Sequence, residues 1–364
     1  MSVLCVLQVV NYMDHGGLET MLMNYYRHID RSKIQFDFLV HKEKVAEYEP
    51  EIEQLGGKIY RMPAVNPLSE SYHRKETVFF QSHAYSVVHC HMDCMSAFPL
   101  FHAKSAGVPV RIAHSHSSNQ DKNLKYPLKM LCKQLIPMSA THLFACSADA
   151  GRFMFGNHDF QIMRNAVEVK KFLYNSSVRE KVRKELNVRD NVVLGNVANF
   201  SLVKNHSFLL DIFFYYHQLN PKSKLLLVGD GSGRKNIEDK IRALGLHDHV
   251  ILTGVRSDVY RLLQAMDVFV FPSLFEGLPV TMVEAQAAGL PCVISDTVPN
   301  ETDITDLVTR VSLKAPLQQW ISAIDVASKT TRADQSVQIK RSGFDIEENA
   351  KWLENFYLKV SENG

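Results

Sequence analysis

At 364 residues, the chain exceeds the length at which one hydrophobic core usually keeps growing, so two domains are expected. A net charge of +2 at pH 7, with 46% hydrophobic and 22% charged residues, is typical of a globular protein and gives no general attraction to nucleic acid. The first apolar run, Val3 to Val10, is too short for a signal peptide, and no run approaches the roughly 20 residues of a membrane span. With six cysteines mostly in apolar stretches, these features predict a cytoplasmic protein with reduced thiols.

Strand-like runs alternate with helical patterns along the chain, in two series. The first series contains VLCVLQVV (3–10), FDFLV (36–40), KIY (58–60), VVHC (87–90), VRIAH (110–114) and LFACS (143–147). Several of its helical patterns end at a glycine: Gly56, Gly107 or Gly151. The second series contains NVVLGNVANF (191–200), KLLLVGDG (224–231), VILTG (250–254), VFVF (268–271) and PCVIS (291–295). This rhythm predicts an α/β fold with two doubly wound parallel sheets.

The junction between the two domains is expected in the polar, partly helical stretch from Val169 to Asn191. We therefore predict a first domain at residues 1–168 and a second at 169–343. Ligands of doubly wound sheets bind beyond the carboxyl ends of the strands, so the loops that follow the predicted strands are the places to search for a site.

Two glutamates lie eight positions apart in SLFEGLPVTMVEAQAAGLP, residues 273–291. The preceding VFVF is predicted to be a buried strand, and Pro279 suits the first position of a helix. Glu276 then lies in the turn and Glu284 on the second helical turn. Because Leu278 cannot cap the helix, its first backbone N–H groups need another acceptor, either an anionic ligand or water.

Two further motifs at strand ends have alternative interpretations. GDGSG, Gly229 to Gly233, is either a loop that approaches a phosphate or a plain tight turn, because it lacks the full GxGxxG pattern and the P-loop lysine. His114 and His116 alternate onto one face of a strand. Each is either a proton or phosphate partner or a structural histidine.

The sequence offers little support for a metal ion. In HCHMDC, His89 to Cys94, alternating histidine and cysteine resemble a zinc motif, but the spacing matches no zinc finger and no second pair follows. A strand end that places His91 in a cleft is the preferred explanation. No DxD pair is present, and no His, Asp or Glu cluster has metal-ligand spacing in the sequence. The chemistry is therefore predicted to need neither a metal nor another cofactor.

A basic amphipathic segment follows the histidines. Its lysines recur at three- and four-residue spacing among leucines and methionines: Lys122, Lys125, Lys129 and Lys133. Pro127 confines the helix to one side, expected to be the C-terminal side. The segment could lie on an anionic membrane, where each charge contributes about 1 kcal/mol. A solvated helix face is the alternative.

Taken together, these motifs resemble the retaining glycosyltransferases of family 4, and the resemblance spans almost the whole chain. It rests on EGLPVTMVEAQAAGLP, which is the specific motif, and on VANFSLVKNH, LLLVGDG and DHGGLE. RIAHSHS, KNHSFLLDIF and VPNETDIT are similar to the bacterial capsule and exopolysaccharide branch. The resemblance implies a GT-B fold, in which two Rossmann-like domains face each other across a cleft. It also implies that the last segment, 344–364, is a helix that crosses back onto the first domain.

The resemblance further implies roles for residues in the second domain. Glu276 matches the glutamate that faces the donor sugar, and Glu284 matches the one that holds the nucleotide ribose. Lys204 matches the lysine that neutralises the leaving diphosphate. Gly277 and Leu278 offer backbone N–H groups to that diphosphate. The remaining donor-binding candidates are Asn199, Gly229 and Arg256, with Arg234 as an alternative cation.

In the first domain, Gly16 and Gly17 match the glycine-rich loop that approaches the donor phosphates. His114 and His116 both lie where the family has an active-site histidine, and the match does not choose between them. Two positions depart from the family pattern: Asn199 stands where the family usually has arginine, and Ala166 stands where it usually has glycine. The change at Asn199 removes a cation from the predicted diphosphate site.

The sequence therefore predicts a hexosyltransferase that moves a sugar from a nucleotide diphosphate sugar, expected to be a UDP-sugar, to a lipid-linked glycan with retention of configuration. Its first domain is expected to bind the acceptor and its second the donor, either free in the cytoplasm or peripherally at the inner face of the plasma membrane. No nucleic acid partner is expected. The alternatives are an inactive partner subunit of another transferase and a nucleotide-sugar epimerase on the same fold.

Overall fold

The structure is a computed structural model that describes residues 3–14, 16–117 and 126–362. It divides into two compact units: unit 1 comprises Met1–Ala166 and Ile346–Gly364, and unit 2 comprises Val167–Asp345. These boundaries lie two residues from the predicted ones at both junctions.

Within the described residues, unit 1 contains a seven-stranded parallel sheet in the order β3-β2-β1-β4-β5-β6-β7. Its strands are β1 (Leu4–Val10), β2 (Ile34–Val40), β3 (Ile59–Arg61), β4 (Val87–Cys90), β5 (Val110–Ser115), β6 (His142–Ala145) and β7 (Gln161–Ile162). Its helices are α1 (Gly17–His28), α2 (Glu49–Gln54), α3 (Glu70–Ser82), α4 (Ala97–Ser105), α5 (Tyr126–Ser139), α6 (Ala148–Phe155) and, from the end of the chain, α15 (Ile346–Glu362), with a 3-10 helix at Asp93–Ser96.

Unit 2 contains a six-stranded parallel sheet in the order β10-β9-β8-β11-β12-β13. Its strands are β8 (Val192–Val197), β9 (Ser223–Val228), β10 (Val250–Leu252), β11 (Val268–Phe271), β12 (Cys292–Ser295) and β13 (Val308–Val311). Its helices are α7 (Val169–Phe172), α8 (Ser176–Glu185), α9 (His206–Leu219), α10 (Arg234–Ala243), α11 (Val259–Ala265), α12 (Val280–Ala287), α13 (Leu317–Ser328) and α14 (Ser336–Arg341), with 3-10 helices at Leu202–Lys204 and Asn300–Thr302.

Both sheets have the strand order of a Rossmann-like fold, in which the chain switches direction between two central strands. In unit 1 this switch lies between β1 and β4, and in unit 2 between β8 and β11. The predicted α/β fold with two parallel sheets is therefore confirmed. The switch points place the carboxyl ends of β1, β4, β8 and β11 where ligands of such sheets bind.

Helix α15 completes the core of unit 1. Ile346, Leu353 and Tyr357 are buried in the cluster that also contains the strand residues Phe36 and Phe144. Burying an aromatic or leucine side chain stabilises a fold by roughly 1.5–3 kcal/mol. The last helix is therefore an integral part of unit 1, although about 180 residues separate it from Ala166 in sequence.

Three details of the fold differ from the sequence prediction. Strands β7 and β13 were not predicted, because QI and VTRV are short and contain polar residues. Gly151 does not end a helix but lies inside α6, where a Cβ would come within 2.1 Å of the Phe160 ring. Close packing therefore requires glycine there. Among the described residues, no helix has the length and apolar content that crossing a bilayer requires.

Candidate functional site

The predicted strand-turn-helix forms at the centre of unit 2. Strand β11 is fully buried between β8 and β12, and the chain then passes through a turn into α12. Helix α12 begins at Val280, one residue after the predicted start, with Pro279 in an extended conformation before it. No side chain caps this helix. The predicted uncapped start is confirmed, and its backbone N–H groups are suited to an anion.

Glu284 is a buried carboxylate on α12. It is only 9% exposed and makes no hydrogen bond or ion pair with another of the described residues. Burial raises its pKa to about 7, and the charge of Lys171 on α7 opposes this shift only in part. Buried carboxylates are normally paired or hydrogen-bonded, so Glu284 retains unused capacity to accept hydrogen bonds.

Lys204 and Glu276 form an ion pair between two loops of unit 2. Lys204 Nζ lies 2.6 Å from Glu276 Oε1 and 2.8 Å from Oε2. The loops are joined by two more hydrogen bonds: Asn205 Nδ2 donates to Pro272 O at 3.1 Å, and the Leu274 backbone N–H donates to Val203 O at 2.8 Å. Residues 72 positions apart in sequence are thereby held at the carboxyl ends of neighbouring strands.

The GDG turn after β9 packs closely on the loop after β8. Gly229 has φ +138°, and a Cβ there would lie 2.0 Å from Ala198 O. A Cβ at Gly231 would lie 2.7 Å from Asn199 Oδ1. Gly229 is therefore required by its conformation and by the backbone of Ala198, and Gly231 by the close approach of Asn199 and the Phe200 backbone. Asn199 itself is exposed beside this turn.

The two arginines predicted as alternative diphosphate cations are engaged elsewhere. Arg234 pairs with Asp230 at 2.9 Å and with Glu238 at 2.7 Å. Arg256 pairs with Asp258 at 2.8 Å. Each guanidinium would have to leave an acidic partner to contact a phosphate. The structure therefore does not bring either cation to the Lys204–Glu276 pair.

In unit 1, the glycine-rich loop follows β1 and leads into α1. Gly16 is the residue before the helix, and no side chain caps α1. A Cβ on Gly16 would lie 2.2 Å from Glu19 Oε2, whereas no atom lies within 4 Å of a Cβ placed on Gly17. Burial, with a smaller contribution from Asp14, raises the pKa of Glu19 to about 7. The loop therefore lies at the carboxyl end of β1, as predicted, but the Gly16 N–H already donates to Asp14 O at 2.9 Å and the Glu19 carboxylate accepts a backbone hydrogen bond at the start of α1.

His114 and His116 belong to a cluster of four imidazoles on one face of unit 1's sheet. His89 and His91 come from the end of β4, and His114 and His116 from the end of β5. His91 Nδ1 lies 2.9 Å from His116 Nε2, and His114 Nδ1 lies 3.2 Å from His89 Nε2. Burial lowers the pKa of all four, that of His116 to about 3.

Within the four-histidine cluster, His114 is fully buried, whereas His116 is half-buried and therefore the more accessible of the two predicted histidines. The carboxylate of Asp93 also contacts this cluster. Its Oδ1 accepts a hydrogen bond from the backbone N–H of His116 at 3.4 Å. Accessibility favours His116 over His114 as the residue that could contact a ligand.

The lysine segment is only partly described, because Lys122 and Lys125 lie outside the described residues. Helix α5 begins at Tyr126, so the helix lies on the expected side of Pro127. Lys133 does not extend into solvent: its Nζ donates to Phe153 O at 2.6 Å and lies 4.7 Å from the Phe153 ring centroid. Lys129 is half-buried and interacts with its surroundings. The predicted lysine face is therefore not the outward face of α5.

Apart from Gln134, the outward side chains of α5 are apolar instead. They are Leu128, Leu131, Leu135 and Met138, and Phe101 on the neighbouring α4 is also exposed. We call these five residues the apolar face of unit 1.

Comparison with known proteins supplies the family. Residues 16–163 match the family model described as "Glycosyl transferase 4-like domain", and residues 178–336 match "Glycosyl transferases group 1". The chain is 36% identical over 368 residues to "Putative glycosyltransferase EpsF" of Bacillus subtilis (strain 168), covering 97% of this chain and 96% of that protein. The chain belongs to glycosyltransferase family 4.

Two other proteins are similar to this glycosyltransferase. One is the Escherichia coli "UDP-Gal:alpha-D-GlcNAc-diphosphoundecaprenol alpha-1,3-galactosyltransferase", 27% identical over 233 residues and 58% of each chain. The other is Anabaena Alr3699/HepE, whose crystal structure contains UDP and glucose. HepE superposes with a TM-score of 0.81 over 98% of this chain and 100% of its own, at 18% identity. The predicted GT-B fold is thereby confirmed.

Several residues at these sites were not predicted from the sequence of the glycosyltransferase. The sequence presents His89 only as part of a zinc-like motif, and His91 as part of the same motif or as a strand end that lies in a cleft. Gln8 and Tyr357, which hydrogen-bond the histidines, were not considered as site residues. Period-2 alternation could have placed His89 and His91 on one face, just as it did for His114 and His116. The contact of Tyr357 could not have been found in this way.

Proposed function

We propose that this glycosyltransferase transfers a sugar from a UDP-sugar to a lipid-linked glycan in capsule or exopolysaccharide synthesis, with retention of anomeric configuration. The observation that carries the proposal is the arrangement in unit 2: a buried carboxylate without a partner on α12, close in sequence to the Lys204–Glu276 ion pair. Unit 2 would bind the donor, and unit 1 the acceptor.

Glu284 is the proposed ribose ligand. A carboxylate has two oxygens and accepts two hydroxyl hydrogen bonds, which suits the 2′- and 3′-hydroxyls of a ribose. The bound hydroxyls would supply the hydrogen bonds that the carboxylate lacks in the free protein. Because its pKa is raised to about 7, Glu284 must ionise before it can accept both bonds.

Lys204 and Glu276 are the proposed catalytic pair. As the glycosidic bond breaks, the diphosphate gains negative charge, and a fixed cation stabilises this charge more in the transition state than in the ground state. Lys204 would exchange its contact with Glu276 for the diphosphate, and Glu276 would then accept hydrogen bonds from hydroxyls of the sugar. The N–H groups of Gly277 and Leu278 and the side-chain amide of Asn199 would add neutral donors. The GDG turn would add shape and not donors, because the Gly229 N–H donates to Gly254 O and the Gly231 N–H to Asp230 Oδ1.

We propose that the transfer itself needs no metal ion on the diphosphate. Magnesium and manganese prefer carboxylate and water oxygens, usually from more than one carboxylate. In unit 2 the two carboxylates of the motif have different surroundings: Glu276 forms an ion pair with Lys204, whereas Glu284 is buried. They are therefore not expected to bind such an ion together. Retention follows from the family resemblance, and the roles of Gly16, Gly17 and His116 toward the substrates are part of the same proposal.

The acceptor and its location rest on two observations. The E. coli relative's name gives it a diphosphoundecaprenol-linked acceptor, which is a lipid-linked glycan. Unit 1 of this chain exposes the apolar face on α4 and α5, which would suit the interface of a bilayer. We therefore propose peripheral attachment at the inner face of the plasma membrane through this face.

The test is incubation of the protein with a panel of nucleotide sugars and diphosphoundecaprenol-linked acceptors, with and without EDTA, followed by quantification of released nucleotide. We expect UDP release with one UDP-sugar, unchanged by EDTA and at least about ten times slower for Glu276→Ala. NMR of the product then gives its anomeric configuration. Loss of activity in EDTA that Mg²⁺ or Mn²⁺ restores would refute metal independence, and an inverted product would refute retention.

The same panel tests the two alternatives. UDP binding without turnover with any sugar and acceptor would favour a partner subunit, and an isomerised nucleotide sugar would favour an epimerase. Neither is favoured by the family assignment, because the matched families and the relatives are named as glycosyltransferases.

A further inference from the structure

The four-histidine cluster of unit 1 has a second property besides supplying His116. One ring nitrogen each of His89, His91 and His114 lies within 4.8 Å of the others. Within the described ranges, this is the one group of three or more His, Cys, Asp or Glu side chains with that arrangement. All three imidazoles are buried, at 0%, 4% and 1% exposure.

The outer nitrogens of this group are held by polar partners. His89 Nδ1 lies 2.6 Å from Tyr357 Oη, and His91 Nε2 lies 2.9 Å from Gln8 Oε1. Histidines that bind metals almost always use their second nitrogen for a hydrogen bond of this kind, which fixes the ring and its tautomer. His89 Nε2 and His91 Nδ1 are therefore the nitrogens directed into the cluster.

One pair of inner nitrogens has the spacing that a metal ion needs, and all three lie within 4.8 Å of one another. In a tetrahedral site with Zn–N distances of about 2.0–2.1 Å, ligand nitrogens are roughly 3.3 Å apart. His89 Nε2 and His114 Nδ1 are 3.2 Å apart. The second nitrogen of His114, Nε2, is buried and has no hydrogen-bond partner, so this ring can reorient without losing a bond there.

Metal binding also sets the positions of the ring protons. Imidazole binds a metal through the lone pair of a nitrogen that carries no proton, so each inner nitrogen must be the unprotonated one. Binding through Nε2 requires the tautomer of His89 that carries its proton on Nδ1, and this proton can be donated to Tyr357 Oη, 2.6 Å away. Adopting this tautomer leaves the number of protons on the ring unchanged.

We propose that His89, His91 and His114 form a binding site for a divalent transition-metal ion of the zinc class, with Tyr357 and Gln8 orienting the ligands. Three neutral imidazoles leave a fourth position open, and His116 Nε2, 2.9 Å from His91 Nδ1, lies beside it. An ion held by imidazoles is chemically distinct from one that a diphosphate would bring, so the site does not depend on the proposed transfer activity.

The test is competition for Zn²⁺ between the whole protein and a chromophoric chelator, after removal of metals with EDTA. We expect one Zn²⁺ per chain for the native protein and for the control His142→Gln, whose ring lies in the same sheet outside the cluster. His114→Gln removes a ligand and should abolish stoichiometric binding. Tyr357→Phe keeps the core packing but removes the oriented hydroxyl, and it should weaken binding by about 10–100-fold.

Because a core substitution could prevent folding, Co²⁺ added to the unaltered protein provides a second measurement. We expect the intense visible absorption of tetrahedral cobalt without a thiolate charge-transfer band, since no cysteine belongs to the group. Absence of stoichiometric Zn²⁺ binding, a thiolate band, or equal affinity in His114→Gln and the native protein would each overturn the proposal.

Discussion

Replacing Glu284 by glutamine should make unit 2 more stable and the donor site weaker. Glutamine has nearly the same shape but no charge, so it removes the cost of burying a carboxylate. The pKa of Glu284 rises from its ordinary value of 4.5 to about 7 because of burial. At 1.36 kcal/mol for each pH unit, this difference corresponds to about 3 kcal/mol, and relaxation of the surroundings reduces the expected gain to about 1–3 kcal/mol.

The sign of this effect depends on pH. A carboxyl group whose pKa is higher in the folded state binds its proton more tightly there, so the native protein loses stability as the pH rises from 4.5 through about 7. The glutamine variant does not titrate. Its advantage in the free energy of unfolding should therefore be fully present at about pH 8 and absent at about pH 4.

The two tryptophans allow the units to be followed separately. Trp320 is buried in the core of unit 2, and Trp352 lies on α15 of unit 1. In a Trp352→Phe background, the fluorescence of Trp320 reports the urea unfolding of unit 2 alone. If Glu284→Gln gives no gain in the free energy of unfolding at about pH 8, or the same gain at about pH 4, the carboxylate is not destabilised by burial.

The same variant should bind UDP more weakly at about pH 8, by roughly 1.5–3 kcal/mol for hydrogen bonds to a charged acceptor. In the native protein, UDP affinity should fall by up to about tenfold for each pH unit below about 7, because Glu284 must ionise first, until it reaches the affinity of the glutamine variant. Calorimetric titration measures both. Equal affinity of the two proteins would remove Glu284 from the ribose site.

Three further predictions concern the ion pair, the departure from the family pattern and the membrane. Glu276→Ala should lower turnover at least about tenfold while UDP affinity, measured by calorimetry, changes little; equal activity would refute its role. Lys204→Ala should abolish detectable UDP binding, whereas Asn199→Arg should tighten it by about 1–2 kcal/mol; no effect of either would place the phosphates elsewhere. Leu131→Ser should reduce sedimentation with anionic liposomes, while Val326→Ser, at an equally exposed apolar position of unit 2, should not; equal loss would refute a specific membrane face.

The local elements of the site were predictable because their signals are contiguous in sequence. The VFVF run, the proline and the uncapped turn specified β11 and α12 to within one residue. The pairing of Lys204 with Glu276 joins residues 72 positions apart, so periodicity alone does not give it and only the family resemblance brought both residues into one site.

The surface of α5 shows why the pattern of charges predicts the exposed face of a helix less reliably than the spacing predicts the helix itself. Helical spacing correctly predicted an amphipathic helix, but not which face turns outward. Lys133 has a long, flexible side chain that reaches the carbonyl of Phe153, and this leaves Leu131 and Met138 exposed. The inward face of α5 is determined by its contacts with neighbours such as α4 and α6. The positions of these helices cannot be derived from the sequence of α5 alone.

The placement of α15 in the core of unit 1 determines the order in which the protein can fold during synthesis. Unit 2 is continuous, so all of its residues have left the ribosome once Asp345 has emerged. Unit 1 at that moment lacks Ile346, Leu353 and Tyr357, and the imidazole of His89 lacks the hydroxyl that contacts it. The domain that is made first is therefore finished last, and a nascent chain exposes the unfilled groove for α15 throughout translation of unit 2.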